Sequence, residues 1–106
     1  MSPAVQFAAL ADDTRCALID LLRERPRPVH ELAAAFSISR PAISRHLRVL
    51  KEAGLIAEER AGRENVYALK RHRLRVLSSW LEQHWSNKTK PMASGQGPRA
   101  QTELDL

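Results

Sequence analysis

Between residues 39 and 52 the chain places arginine, serine and lysine at spacings that suit an anionic groove. With Arg40 at the origin and about 100° per residue, Arg40, Ser44, Arg45, Arg48 and Lys51 fall with Pro41 and Glu52 within roughly 140° of one helical face. Ala42, Ile43, His46, Leu47, Val49, Leu50 and Ala53 take the opposite sector. One face can therefore be buried while the other carries cations and hydroxyls. Arginine can grip guanine edges bidentately, serine can take base edges or phosphates, and lysine suits phosphates. Any surface helix shows some charged face, so this one acquires meaning only from what surrounds it.

The elements on either side supply that setting. Ser39 is a good N-cap, and Pro41 suits the first turn after it. Gly54 is the expected left-handed stop, giving a helix from Arg40 to Ala53. A short helix from Pro28 or Val29 through Leu32, Ala33 and Phe36 precedes it across the turn Ser37-Ile38-Ser39. Further upstream, Ser2-Pro3 reads as the start of a first short helix, and Asp12-Asp13 as the start of a second that runs to about Glu24. Ala17, Leu18, Leu21 and Leu22 recur there at core-facing spacing, and Arg25-Pro26-Arg27-Pro28 cannot continue the helix.

After Gly54, Leu55–Arg60 and Val66–Leu69 are short enough for strands, joined by a turn over residues 61–65 with Arg63 at its tip. A last helix spans about Arg73 to Asn87, with Leu74, Leu77, Leu81, His84 and Trp85 as an apolar stripe. The expected fold is mainly α with a small β-hairpin: a dimeric winged helix-turn-helix of five helices and a two-stranded wing, over residues 1–90. Residues 91–106, rich in Pro, Gly, Ser and Gln, read as a disordered tail.

Charge follows the same division. The 106 residues carry a formal net charge of +5. Residues 39–90 hold twelve Lys/Arg against five acidic residues, whereas residues 1–38 are net −1. Basic charge concentrated around a helix, turn, helix and hairpin is the layout in which a recognition helix enters the major groove of double-stranded DNA. Cys16 is the one cysteine, so no intrachain disulfide and no cysteine cluster for a metal can form. With no signal-peptide pattern and no run near the ~20 apolar residues of a membrane span, the expected setting is cytoplasmic, with no membrane partner.

His30-Glu31-Leu32-Ala33 and the run from Ser39 through Arg40-Pro41-Ala42-Ile43-Ser44-Arg45-His46-Leu47 to Leu55-Ile56 resemble the arsenic-repressor (ArsR/SmtB) family, and Leu10-Ala11-Asp12-Asp13-Thr14-Arg15 is similar to its second-helix start. The resemblance covers about residues 5–86. It implies a homodimeric winged-helix DNA-binding protein, usually a bacterial repressor, with Ser39, Arg40, Ser44 and Arg45 facing the groove and Arg63 in the wing. Many members of the family bind metals through a Cys-X-Cys pair in the third helix. Leu32-Ala33-Ala34-Ala35 offers no ligand there, and His72 and His84 lack a matching carboxylate pair on the last helix. No metal or cofactor is expected, and the effector is left unknown.

The remaining residues weigh structural against functional readings. Trp80, Trp85, Leu77 and Leu81, with Val5, Phe7 and Leu10, suit either a core or a dimer interface, and the broad stripe on so small a domain favours the interface. His46 lies in the apolar sector and reads as a packed, hydrogen-bonded histidine, with a phosphate contact as the alternative. Cys16 reads as a small buried hydrophobe rather than a reactive thiol. Lys70, Arg71, Arg73 and Arg75 fit a solvated face or phosphate contacts equally. No phosphate loop, paired carboxylates or nucleophile set marks an enzyme. A winged-helix protein-interaction module without specific DNA binding is the main rival, and steep salt dependence of duplex binding separates the two. RNA ranks lower, because the five aromatic residues take core or interface positions instead of forming a stacking platform.

Overall fold

The computed structural model describes residues 2–86, so the expected tail at 91–106 and the end of the 1–90 domain lie outside the described residues. Helix α1 (Ala4–Leu10) leads into α2 (Asp13–Glu24). The Asp12 side chain caps α2 by accepting from the Arg15 N–H at 3.0 Å. Ser2 works as expected but one residue out of place: Pro3 is the N-cap, and the Ala4 N–H donates to Ser2 Oγ.

Arg25-Pro26-Arg27-Pro28 does end α2, but it also contributes a strand that the sequence pattern hides. Strand β1 (Arg27–Pro28) lies antiparallel to the wing, with Arg27 opposite Tyr67 and Pro28 opposite Val66. Proline is tolerated because β1 is an edge strand. Arg27 anchors the junction: its Nε donates to the Leu21 carbonyl at 3.1 Å, and its Nη2 to Glu24 at 2.6 Å. The last turn of α2 thus has an orphan carbonyl satisfied from outside the helix.

Helix α3 (Val29–Ala34) is shorter than expected and excludes Phe36. The Ala35 and Phe36 N–H groups donate to the Leu32 and Ala33 carbonyls, tightening the helix end into three-residue steps. The connection to the next helix therefore spans residues 35–39, and Phe36 packs on the core from this loop.

Helix α4 (Arg40–Glu52) starts at Ser39, whose Oγ accepts from the Ala42 N–H at 3.2 Å, and stops one residue earlier than expected, with Ala53 as C-cap. Gly54 follows at φ +80°, a conformation that disfavours a Cβ. Strands β2 (Ile56–Ala61) and β3 (Glu64–Leu69) then pair from Ile56–Leu69 to Ala61–Glu64, so the turn is only Gly62-Arg63. Glu64 and Asn65 belong to the ladder because Gly62, at φ +67°, supplies the backbone a two-residue reversal needs. The wing is consequently the hairpin of a three-stranded sheet, in the order β1-β3-β2.

Helix α5 (Arg71–Trp85) closes the described chain, two residues earlier at each end than its stripe suggested. The core lies between α2, α3, α4 and the root of the hairpin. Leu18, Leu22, Leu32, Ile43, Leu47, Leu50, Leu55 and Ile56 are fully buried there, with Ala9, Ala53 and Leu77 at its margin. Leu21 and Ala17 are only half-buried, on the flank of α2.

Truncating Leu47 tests the central packing. Leu47→Ala is expected to lower the free energy of unfolding by about 2–5 kcal/mol, from lost burial plus the cavity left behind. Gly54→Ala should cost about 1–2 kcal/mol through its left-handed backbone. Both are read by chemical denaturation at fixed protein concentration, and an unchanged midpoint for Leu47→Ala would overturn the packing assigned to α4.

Candidate nucleic-acid interface

Burial of Ile43, Leu47 and Leu50 fixes the roll of α4 about its axis, so Arg40, Ser44, Arg45, Arg48 and Lys51 are all exposed. Ser39 is exposed at the start of the helix, where its oxygen serves the cap while its hydroxyl hydrogen can still donate. Among the described residues, Arg40, Arg45, Arg48 and Arg63 have neither an ion-pair partner nor a side-chain hydrogen bond. Four solvated guanidinium groups without internal acids leave their donors available to an anion.

Lys51 behaves differently. Its Nζ donates to Glu58 Oε1 on β2 at 2.8 Å. The Lys51 ammonium holds the Glu58 carboxyl below its usual range. Burial, assisted by the Glu58 charge, pushes the neighbouring Tyr67 phenol up. Lys51 was expected in the cationic face, but the structure turns it back onto the hairpin. The angular wheel placed its Cα correctly and could not see an acid from another element within reach.

The start of α4 and the hairpin frame a cleft of about 370 Å³. Arg40, Arg60 and Arg63 line it, with His30 from α3 and Glu64 and Asn65 from β3. Arg60 Nε donates to the Gly62 carbonyl at 3.0 Å, which holds the turn. His30 Nδ1 lies 3.1 Å from Glu64 Oε1 and bridges α3 to the wing. Three arginines against one carboxylate make a cationic channel of the kind a phosphate strand could follow. Sequence reasoning missed Arg60 and His30; the signal was Arg60's place beside the turn, opposite Asn65.

His46 is packed and hydrogen-bonded, as its place on the apolar sector suggested. Arg15 Nη1 donates to His46 Nδ1 at 3.1 Å, and Arg15 Nε donates to the Ala9 carbonyl at 2.7 Å. With Nδ1 accepting, the ring proton sits on Nε2. Asp12 Oδ2 lies 3.8 Å from the same Nδ1. The Arg15 backbone N–H, then the Arg15 charge, holds the Asp12 carboxyl below its ordinary range against partial desolvation. The α1–α2 corner is thereby tied to the middle of α4.

Cys16 overturns its reading as a buried hydrophobe. It is exposed, and its thiol donates to the Leu10 carbonyl at 3.0 Å. The cationic cluster at the start of α5 splits: Arg71 Nη2 donates to the Arg23 carbonyl at 2.7 Å, Arg73 is half-buried beside Gly54, and Arg75 is exposed.

The expected interface residues divide in the same way. Val5 is 60% exposed, Trp80 38%, Leu81 45% and Trp85 71%. Val76, unmarked in the sequence reading, joins them at 52%. Phe7 and Leu10 are half-buried against the core, and Phe7 meets Trp80 edge-on with ring centroids 5.7 Å apart. Leu77 is a correction: at 5% exposure it is spent inside its own protomer, seating α5 on the core. No helix of the described residues is long and apolar enough to cross a membrane.

Known proteins share this arrangement. A family model described as "Bacterial regulatory protein, arsR family" matches residues 12–58, from the cap of α2 into β2. The HTH-type transcriptional regulator Rv2034 of Mycobacterium tuberculosis is 42% identical over 85 residues, covering 80% of this chain and 79% of that protein. The transcriptional repressor SdpR of Bacillus subtilis is 36% identical over 75 residues, covering 71% of this chain and 83% of that protein. A homodimeric winged helix-turn-helix DNA-binding domain from Mycobacterium bovis, described as a possible ArsR-family regulator, superposes with a TM-score of 0.62. It is 28% identical and covers 74% of this chain and 78% of that one. These relatives are named as regulators of transcription, in line with a regulatory and not an enzymatic role. Identity of this depth over most of Rv2034, on the element order of a winged helix-turn-helix, makes the chain a member of the arsR family of bacterial regulatory proteins.

Proposed function

We propose that this regulator is a cytoplasmic homodimer that binds a pseudo-palindromic promoter operator and represses transcription from it. The observation that carries the reading is the set of unpaired arginines on one side of the molecule: Arg40, Arg45 and Arg48 on α4 and Arg63 at the tip of the wing. Several uncompensated guanidinium groups on one exposed helix face, with the wing tip adding another, suit a polyanion such as duplex DNA.

In the proposed complex, the two copies of α4 enter successive major grooves, half-sites about 34–36 Å apart. Arg45 and Ser44, on the exposed side of the first two turns, read base edges. Ser39, Arg40 and Arg48 hold the flanking phosphates. Arg63 lies along neighbouring phosphates or the minor groove, and the channel of Arg40, Arg60 and Arg63 carries the strand between helix and wing. The paired face is built from Val5, Val76, Trp80, Leu81 and Trp85, and its two-fold axis imposes the operator's symmetry. The homodimeric Mycobacterium bovis domain and the repressor SdpR support the assembly and the sign of regulation.

Fluorescence anisotropy with the protein's own upstream promoter fragment against random duplex, at two salt concentrations, tests this. Promoter-preferring binding that falls steeply with salt is expected, with a logarithmic slope of about −0.9 per phosphate contacted. Weak, salt-insensitive binding to both duplexes would reject the reading.

Single substitutions resolve the roles. Arg45→Ala is expected to cost about 1–3 kcal/mol of discrimination between operator and random DNA. Arg63→Ala should weaken both duplexes alike and reduce the salt slope by about 1. Lys51→Ala should alter affinity less than Arg48→Ala, because the Lys51 ammonium is already paired with Glu58. Equal losses for Lys51→Ala and Arg48→Ala would show that DNA breaks the pair.

The dimer has its own test. Trp85→Glu combined with Leu81→Glu should convert the protein to a monomer in sedimentation velocity. A dimer unaffected by both charges would move the interface elsewhere.

A further inference from the structure

Between α1 and α5 lies a small cavity of about 150 Å³, lined by Ser2, Pro3, Gln6, Arg73, Val76, Leu77 and Trp80. It lies apart from the cationic channel, at the edge of the face assigned to the dimer, with which it shares Val76 and Trp80. Its walls are of two kinds. Pro3, Val76, Leu77 and the Trp80 indole are apolar. Ser2, Gln6 and Arg73 bring a hydroxyl, an amide and a guanidinium to the same space.

Arg73 is the anomaly. It is half-buried, it has no ion-pair partner among the described residues, and its buried Nε finds no hydrogen-bond acceptor there. A guanidinium withdrawn from water without an anion is costly, and its unsatisfied donor adds to the cost. Gln6 spends one amide hydrogen on the Ala53 carbonyl at 2.9 Å and keeps a second. Ser2 Oγ accepts from the Ala4 N–H, which leaves its hydroxyl hydrogen to donate. Donors are in surplus and no carboxylate lines the cavity.

We propose that this cavity binds a small organic carboxylate, its charge on Arg73 and its hydrocarbon part against Trp80 and Val76. A fork of guanidinium donors matches a carboxylate, and the apolar wall selects an organic acid over an inorganic anion. The volume suits a single ring or a short chain, since a cavity of about 150 Å³ can hold benzene. The position gives such a ligand leverage. Arg73 lies against Gly54, whose missing Cβ would stand 3.5 Å from Nε, and Gln6 holds the Ala53 carbonyl at the C-cap of α4. An occupant would therefore touch both the end of the helix assigned to DNA and the α5 face assigned to the dimer.

The test needs no DNA, so its outcome is independent of the operator-binding reading. Benzoate is titrated into the full-length protein while nitrogen–proton correlation spectra follow the Arg73 Nε–H, the Trp80 indole N–H and the Ala53 and Gly54 amides. Saturable shifts at these four sites near about 1 mM benzoate are expected, and benzamide, equal in shape but uncharged, should produce none. Arg73→Met should weaken benzoate about tenfold or more by removing the charge-assisted bonds, whereas Arg23→Met, at an exposed arginine away from the cavity, should not. Val76→Phe, which enlarges a lining residue of the cavity, should weaken benzoate by another route if Arg73→Met fails to fold, with sedimentation velocity confirming that its oligomeric state is unchanged. Absence of saturable shifts, equal shifts with benzamide, or full affinity in the folded Arg73→Met variant would overturn the proposal.

Discussion

The orientation of α4 rests on three side chains. Ile43, Leu47 and Leu50 are fully buried, and a helix with three such anchors along one stripe cannot roll without lifting them from the core. Turning α4 by a quarter would expose these aliphatic groups and press arginine into apolar surroundings, and both changes are unfavourable. The cationic face is thus held outward by hydrophobic burial on the other side, not by any polar contact of its own. That explains how Arg40, Arg45 and Arg48 can be without protein partners and still be accurately presented.

The ends of α4 are set as firmly as its roll. Ser39 caps the first turn, Gly54 reverses the chain after the last, and Leu55 and Ile56 are buried immediately beyond. The hairpin root is therefore bonded to the same core that seats the helix. Lys70 N–H donating to the Leu55 carbonyl closes the base of the hairpin before α5 begins. Wing and helix thus share one packed base, on which the Arg40–Arg60–Arg63 channel is set. The Arg15–His46 bond ties the α1–α2 corner to the same helix.

Much of this was legible in the sequence because it depends on local rules. The cap at Ser39, the glycine stop, the apolar stripe of α4 and the placing of His46 on its packed side follow from helix periodicity and capping. What stayed hidden depends on contacts between distant residues. A two-residue strand carries no periodicity, so Arg27-Pro28 read as a helix breaker and not also as a partner for Val66 and Tyr67. The hairpin turn looked wider because Glu64 and Asn65 are turn-like by type, yet register put them opposite Ala61 and Arg60. Lys51 shares a face with Arg48, but only the return of β2 brings Glu58 to it. Leu77 and Trp80 belong to one stripe, and which of them is spent on the protomer's own core depends on where α1 lies. Val76, exposed beside them, was missed for the same reason.

Helix α5 is the least secured element, and that bears on how the molecule works as a whole. Its attachment consists mainly of Leu77 in the core, half-buried Leu74, the Phe7–Trp80 edge contact and the Arg71 bond to α2. A fifteen-residue helix is marginal in water without tertiary burial, and this one leaves Val76, Leu81 and Trp85 to solvent. In the proposed dimer those side chains are covered by the second copy, so forming α5 and forming the dimer stabilise each other. The core beneath the cationic face, by contrast, is built within one protomer, between α2, α3, α4 and the hairpin root. Such a division separates two properties that a regulator must combine. On the proposed reading, the surface that meets each half-site rests on that core, while the spacing between half-sites is set by the α5 contact. A change at that contact then alters how the two copies of α4 are spaced on the operator.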